Sequence, residues 1–185
     1  MVLKKESNGE IQVYMPGYIE MMLSEYEKTR KIKSYTTLVS TTLFSVDKES
    51  KELKSKEAKQ YHTSVARLLY LCRRARIDVY LPVLYLCTKV KCPTESDLTR
   101  LDRVMGYISL TKHKRRLISG DGNMERFFAF IDASFSVHAD GKGHTGLVIM
   151  WGNAAVAVVS KKQKIGTKDS TESEMVALTD MLEKV

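Results

Sequence analysis

No apolar run in these 185 residues approaches the ~20 that a membrane-spanning helix needs. The stretch VYLPVLYLC (79–87) is too short and holds Pro82. Behind the charged start MVLKKESNGE there is no apolar segment of the kind a secretory signal carries. These absences predict an intracellular protein, cytoplasmic or nuclear, with no membrane partner. Cysteine is scarce too. Cys72, Cys87 and Cys92 make an odd count at spacings unlike a zinc finger or ribbon. Two of them sit among Leu and Tyr, where a thiol behaves as a small hydrophobe. A reducing compartment is expected.

What is present is ordinary for a soluble globular chain: 43% hydrophobic and 28% charged residues, enough for one good core or two small ones. The net charge of +8 is unevenly placed. Residues 126–185 carry seven Lys/Arg and seven Asp/Glu, whereas residues 1–125 carry 23 basic and 15 acidic residues. The clusters KTRKIK (28–33), CRRAR (72–76) and KHKRR (112–116) could neutralise phosphates. Solvated helix faces are the plainer reading of any one of them. KESKELKSKEAK (48–59) mixes both signs and reads as an exposed linker or solvated helix.

Two patterns succeed one another along the chain. NGE (8–10) suggests a small hairpin turn, and Pro16 opens a helix with Ile19, Met22, Leu23 and Tyr26 at helical spacing. Residues 30–60 read mainly as loop. A second helix covers SVARLLYLCRRAR with Val65, Leu68, Leu69 and Cys72 on one face. Asp78 is a candidate cap for a third, with Pro82 in its first turn. A fourth begins near PTESD with a Thr94–Asp97 capping pattern and a stripe of Leu98, Leu101, Met105 and Ile108, leaving Arg100 and Arg103 on other faces. After the turn-rich SGDGN (119–123), the runs RFFAFIDASF, GLVIMWG and AAVAVVS read as consecutive strands, and DSTESEMVALTDMLEKV as a helix. The fold class is mixed α/β (α+β), with a boundary near residue 122: a basic, mostly helical region 1–122, then three strands and a helix in 123–185.

Within that second region the strand FFAFIDASFS holds an acid, Asp132. A buried carboxylate is costly unless it is paired or holds a metal. In the last helix Glu174 shares a face with Ala177, Leu178 and Met181. If the strand of Asp132 is central, the two acids can converge at one end of it. Gathered carboxylates with no nearby base suit magnesium, and paired ions of this kind support phosphodiester hydrolysis. Competing readings stay open: Thr171 with Glu174, or Asp169 with Glu172, fits a capping box, and Asp132 could face solvent at a strand end.

The ordered segments resemble the C-terminal region of copia-type LTR retrotransposon polyproteins, where the end of the reverse transcriptase and a connecting helical region precede ribonuclease H. RLLYLCRRARIDV (67–79) is similar to the family's LLYL…TRPDI, and CPTESDLTRLDRVMGYI (92–108) to its NPT…W..LKRVLRYL helix. FIDASFS stands where the family has a YSDADW-like strand, HTGLVIMWGNAAVAVVSKKQK where it has STSGYVFFLGGGAVSWKSKKQ, and DSTESEMVAL where it has SSTEAEYVAL. The likeness covers nearly the whole chain.

That resemblance implies an RNase H-like domain at 123–185, a thumb/connection-like region at 1–122, and magnesium- or manganese-dependent cutting of RNA in RNA–DNA hybrids. Asp132 matches the family's first catalytic, metal-binding aspartate and Glu174 its helix glutamate; Glu172 matches a helix-start acid. Lys161 and Lys162 match a basic pair after the third strand and, with Arg115 and Arg116, are candidate nucleic-acid contacts. The family's fold runs on into a fourth strand with a third aspartate in a CDNQ-like motif, which residues 1–185 do not contain, nor do they contain the polymerase's paired aspartates. The TRPD of the family is here Ala75-Arg76-Ile77-Asp78, without its proline. Two carboxylates are a thin cage, so the expectation is weak metal binding, weak or absent cleavage and an open sheet edge. The expected partners are an RNA–DNA hybrid or duplex and the rest of a reverse transcriptase polyprotein. The alternatives are a non-catalytic nucleic-acid-binding module and a nonfunctional retroelement remnant.

Overall fold

A computed structural model of the chain describes residues 1–40, 43–45, 47–118 and 126–184. Among these, five α-helices and two three-stranded sheets make a mixed α/β fold. The chain divides into two compact units: Met1–Leu3, Val13–Leu43 and Asp47–Arg116 form one, and Lys4–Gln12, Phe44–Val46 and Leu117–Val185 the other. The expected boundary near residue 122 and the turn-rich 119–123 lie outside the described residues. No helix among those described is long and apolar enough to cross a membrane.

The first unit is built on α1 (Pro16–Glu27), α2 (Ser55–Arg74), α3 (Tyr80–Cys87) and α4 (Glu95–Leu110). Its core takes Ile19, Met22, Leu23 and Tyr26 from α1 and Val65, Leu68, Leu71 and Cys72 from α2. From α4 it takes Leu98, Leu101, Met105 and Ile108. These are the positions that helical periodicity selects, except that Leu71 is buried where Leu69 was expected and Leu69 only packs against the core. Thr94 and Asp97 close a reciprocal capping box on α4, satisfying two backbone amides at its start. Buried Cys72 donates its thiol to the Leu69 carbonyl, and burial pushes its pKa up to about 12. All three cysteines are free.

Three expectations change here. Residues 55–60 belong to α2 and not to a loop, because a helix that buries Tyr61 and Val65 extends back over the charged SKEAKQ. Asp78 does not cap α3, whose N-cap is Val79; its carboxylate instead receives the Arg76 guanidinium through two bonds of 2.9 Å. Arg76 cannot neutralise a phosphate, since it is 1% exposed and also donates to the carbonyl and hydroxyl of Thr111 at the end of α4.

The N-terminal hairpin strands β1 (Val2–Lys5) and β2 (Ile11–Tyr14) turn at Gly9, whose φ of +87° suits glycine, and join β3 (Arg116–Ile118) in the order β1-β2-β3. The second sheet is an antiparallel meander of β4 (Phe127–Ser134), β5 (Lys142–Trp151) and β6 (Ala154–Gly166), in that order, followed by α5 (Ser170–Leu182). Its buried apolar side chains are few: Leu147, Ala154, Ala177 and Met181. A polar network supplements them. Gln163 donates to the Thr145 hydroxyl and the Ser173 carbonyl, and Ser173 donates back to Gln163 Oε1 at 2.9 Å. A Cβ at Gly143 would lie 2.5 Å from Ser173 Oγ, so glycine there lets α5 approach the sheet closely.

Candidate functional site

Asp132 lies near the end of β4, and β4 is an edge of its sheet, not the central strand. Side chains alternate across a strand. Ile131 and Ala133 are half-buried, while Phe128, Phe130, Asp132 and Ser134 are exposed. The desolvation problem that an acid in this apolar run would pose therefore does not arise. Solvent reaches Asp132.

Glu174 comes to the same edge from α5. Asp169 is the N-cap of α5 and accepts from the Glu172 amide, while Glu172 reaches back to the Lys168 amide at 2.7 Å. Of the two possible capping registers, this one forms, which leaves Glu174 outside the cap. Its Oε1 accepts the backbone N–H of Ala133 at 3.2 Å, the amide next to Asp132. The buried face of α5 is Ser173, Ala177 and Met181: Ala177 and Met181 lie where expected, Ser173 is buried in place of Glu174, and Leu178 is 49% exposed. The reason is the Gln163–Ser173 network, which turns Ser173 inward and puts Glu174 on the flank.

The donor set is right in kind for magnesium. Both acids offer hard oxygen ligands at one open edge, and one or two carboxylates completed by waters and substrate phosphates is how proteins commonly hold this ion. Among the described residues, no group of three or more His, Cys, Asp or Glu is placed to hold a metal. Gln163 and Ser173 are the contributors that sequence reasoning missed. They fix the first turn of α5 and so aim Glu174. A buried glutamine facing a helix-start serine has no periodic signature.

The expected nucleic-acid contacts fall in both units. Lys161 pairs with Asp180 on α5 at 2.8 Å, and Lys162 with Asp140 at 2.7 Å, a contact that holds the Asp140 carboxyl below the usual range. In the helical unit the Arg115 guanidinium stacks 4.5 Å from the centre of the Tyr14 ring. Arg116 is half-buried, and desolvation lowers its pKa. A groove of about 380 Å³ in the helical unit is lined by Lys28, Arg30, Lys56, Lys59 and Arg67, with Glu25 and Glu57 the acids among them. Arg30 is committed to Asp102 and Lys28 to Glu25.

Over 186 aligned residues the chain is 26% identical to a Saccharomyces cerevisiae protein named provisionally as a transposon Ty5-1 protein. The match takes in 99% of this chain and 59% of the yeast protein, so the chain spans little more than half the length of that relative. This similarity supports a retrotransposon-related protein. No protein-family model matches the chain. No solved structure matches it either.

Proposed function

We propose that residues 1–185 are the thumb/connection and RNase H-like part of a copia-type retroelement polyprotein, acting on RNA–DNA hybrid. The observation that carries the reading is the Glu174 carboxylate bonded to the amide beside Asp132, two acids at one sheet edge on the positions that match the family motif. Asp132 and Glu174 would hold magnesium or manganese, which activates a water and stabilises the leaving oxygen in phosphodiester hydrolysis. The chain's own residues do the positioning. Ser173 and Gln163 lock the start of α5, and the Ala133 amide holds one glutamate oxygen, leaving the other oxygen and the exposed Asp132 turned to solvent. The basic groove of the helical unit would bind phosphates.

A labelled RNA–DNA hybrid incubated with purified residues 1–185 and magnesium or manganese tests this. The expected result is binding that weakens steeply with salt, as phosphate-driven association does, with cutting so slow or undetectable that Asp132→Asn and Glu174→Gln have little activity to remove. Salt-insensitive binding, or none, would remove the proposal. Robust cutting abolished in both variants would show a site more complete than two carboxylates.

A non-catalytic nucleic-acid-binding module is favoured by one observation: Lys56, Lys59 and Arg67 line the groove in addition to the committed Lys28 and Arg30. Reversing those three charges should then abolish binding, while Asp132→Asn changes nothing.

A further inference from the structure

One flank of α2 carries a pattern that phosphate contact alone does not use. Lys56, Lys59, Thr63, Arg67, Tyr70 and Arg74 follow one another at steps of three or four residues, so they line one side of the helix. At 1.5 Å per residue they span about 27 Å. All six are exposed or half-buried. Lys28 and Arg30 are held by Glu25 and Asp102, but Lys56, Lys59 and Arg67 enter no salt bridge among the described residues. The basic groove along the first part of this flank adjoins a second hollow, of about 520 Å³, and Thr63 and Arg67 line both. The second hollow is aromatic. Tyr18 of α1 and Tyr70 of α2 line it, with ring centres 5.1 Å apart, together with His62 and Ala66. The Tyr18 hydroxyl donates to the Arg67 carbonyl at 3.2 Å, which fixes that ring. Tyr70 is 42% exposed, and the Arg74 guanidinium lies over its ring, 3.7 Å from the centre. A planar cation on an aromatic face makes a layered surface on which a further flat π-system can stack.

We propose that this hollow takes an unpaired nucleobase, and that the flank of α2 holds a single strand whose phosphates run along Lys56, Lys59 and Arg67 toward it. Stacking on an aromatic ring accepts any base, since every base has a π-face, so the site reads strandedness and not sequence. Bases inside a duplex are stacked on one another, and their faces cannot reach Tyr70. The ligand is therefore a single strand, or a hybrid with an unpaired strand beside it. The inference deepens the nucleic-acid reading of the helical unit and rests on it. It involves neither Asp132 nor Glu174.

The test is fluorescence anisotropy of residues 1–185 with three labelled probes of equal length: a single-stranded oligothymidylate, the same backbone with abasic sites throughout, and an RNA–DNA hybrid. The base-bearing strand should bind about fivefold or more tighter than the abasic one, the scale that stacking of one base supplies. Tyr70→Ala should erase that difference and leave the salt dependence of binding unchanged, because no phosphate contact is lost. Tyr70→Phe keeps the ring and should keep the difference. Equal affinity for the base-bearing and abasic strands, a comparison that needs no variant, would overturn the inference. A preference that survives Tyr70→Ala would overturn it equally. Salt-sensitive binding of the hybrid with no base preference would sink this inference and leave the nucleic-acid reading standing, whereas binding of none of the three probes would remove both.

Discussion

Two side chains set the energetics at the residue scale. The Arg76 guanidinium is buried with its fork on Asp78 and its remaining donors on Thr111, so it ties the turn after α2 to the end of α4. Removing one partner of a buried pair strands the other groups. Arg76→Ala should cost about 3 kcal/mol, and Arg76→Lys about 2 kcal/mol because an ammonium cannot reproduce the bidentate fork. Urea midpoints measure both; a loss under about 0.5 kcal/mol for either would refute the latch. Nothing in CRRAR distinguishes this arginine from its solvated neighbours. The third arginine of the run became structural because α2 ends at Arg74, with Ala75 as its C-cap, and the chain turns Arg76 inward.

His144 is the second. It is buried between the His138 ring nitrogen at 3.0 Å and the Ser160 hydroxyl at 2.7 Å, and Phe44 packs on both rings. Desolvation first, and the neighbouring His138 second, lower its pKa to about 4. The unfolded chain takes up that proton near pH 6.5 and the folded chain does not. Stability is therefore whole above pH 6.5, falls as pH drops, and levels off near pH 4, with a total loss of about 3 kcal/mol. Urea unfolding across that window should show the slope in the wild type and lose most of it in His144→Asn. An equal slope in both would assign the effect elsewhere.

Glycines separate two kinds of helix at the scale of elements. Gly106 lies inside α4, where a helical glycine normally weakens the element. A Cβ there would stand 1.9 Å from the Lys33 carbonyl oxygen, so the segment after α1 crosses α4 at backbone contact. Gly17, in the first turn of α1, has nothing within 4 Å of its Cβ position. Gly106→Ala should destabilise by about 2 kcal/mol or more through overpacking, and Gly17→Ala should stabilise by about 0.5 kcal/mol through reduced chain entropy. Thermal melts of the two variants, shifting in opposite directions, check the contrast; a tolerated Gly106→Ala would mean the crossing segment moves aside. Periodicity made α1, α2 and α4 legible because each buries a long apolar stripe. The face of α5 was legible at its apolar positions Ala177 and Met181 and not at Ser173, whose contact with the sheet is polar. The edge position of β4 was not legible either, because strand order is a property of pairing and not of composition.

The two units of the whole molecule rest on different chemistry. The helical unit holds the large apolar core and the whole excess of positive charge, which suits a phosphate-binding role. Residues 126–185 are electrically neutral and are joined as much by hydrogen bonds as by apolar contact. Its two candidate acids were legible as residues, from the motif resemblance. Their setting was not: of the two settings left open for Asp132, the solvent-facing one holds, because β4 lies at an edge of its sheet.

The aromatic residues follow the same division. All nine tyrosines fall within the helical unit, whereas the single tryptophan and all five phenylalanines fall in the other. Trp151 stacks on Phe127 with ring centres 5.4 Å apart, at the start of the open edge. The chain is thus labelled by its own composition. Tryptophan emission reports on one unit alone, tyrosine emission on the other, and no dye or added cysteine is needed to tell which half responds to a change in solution.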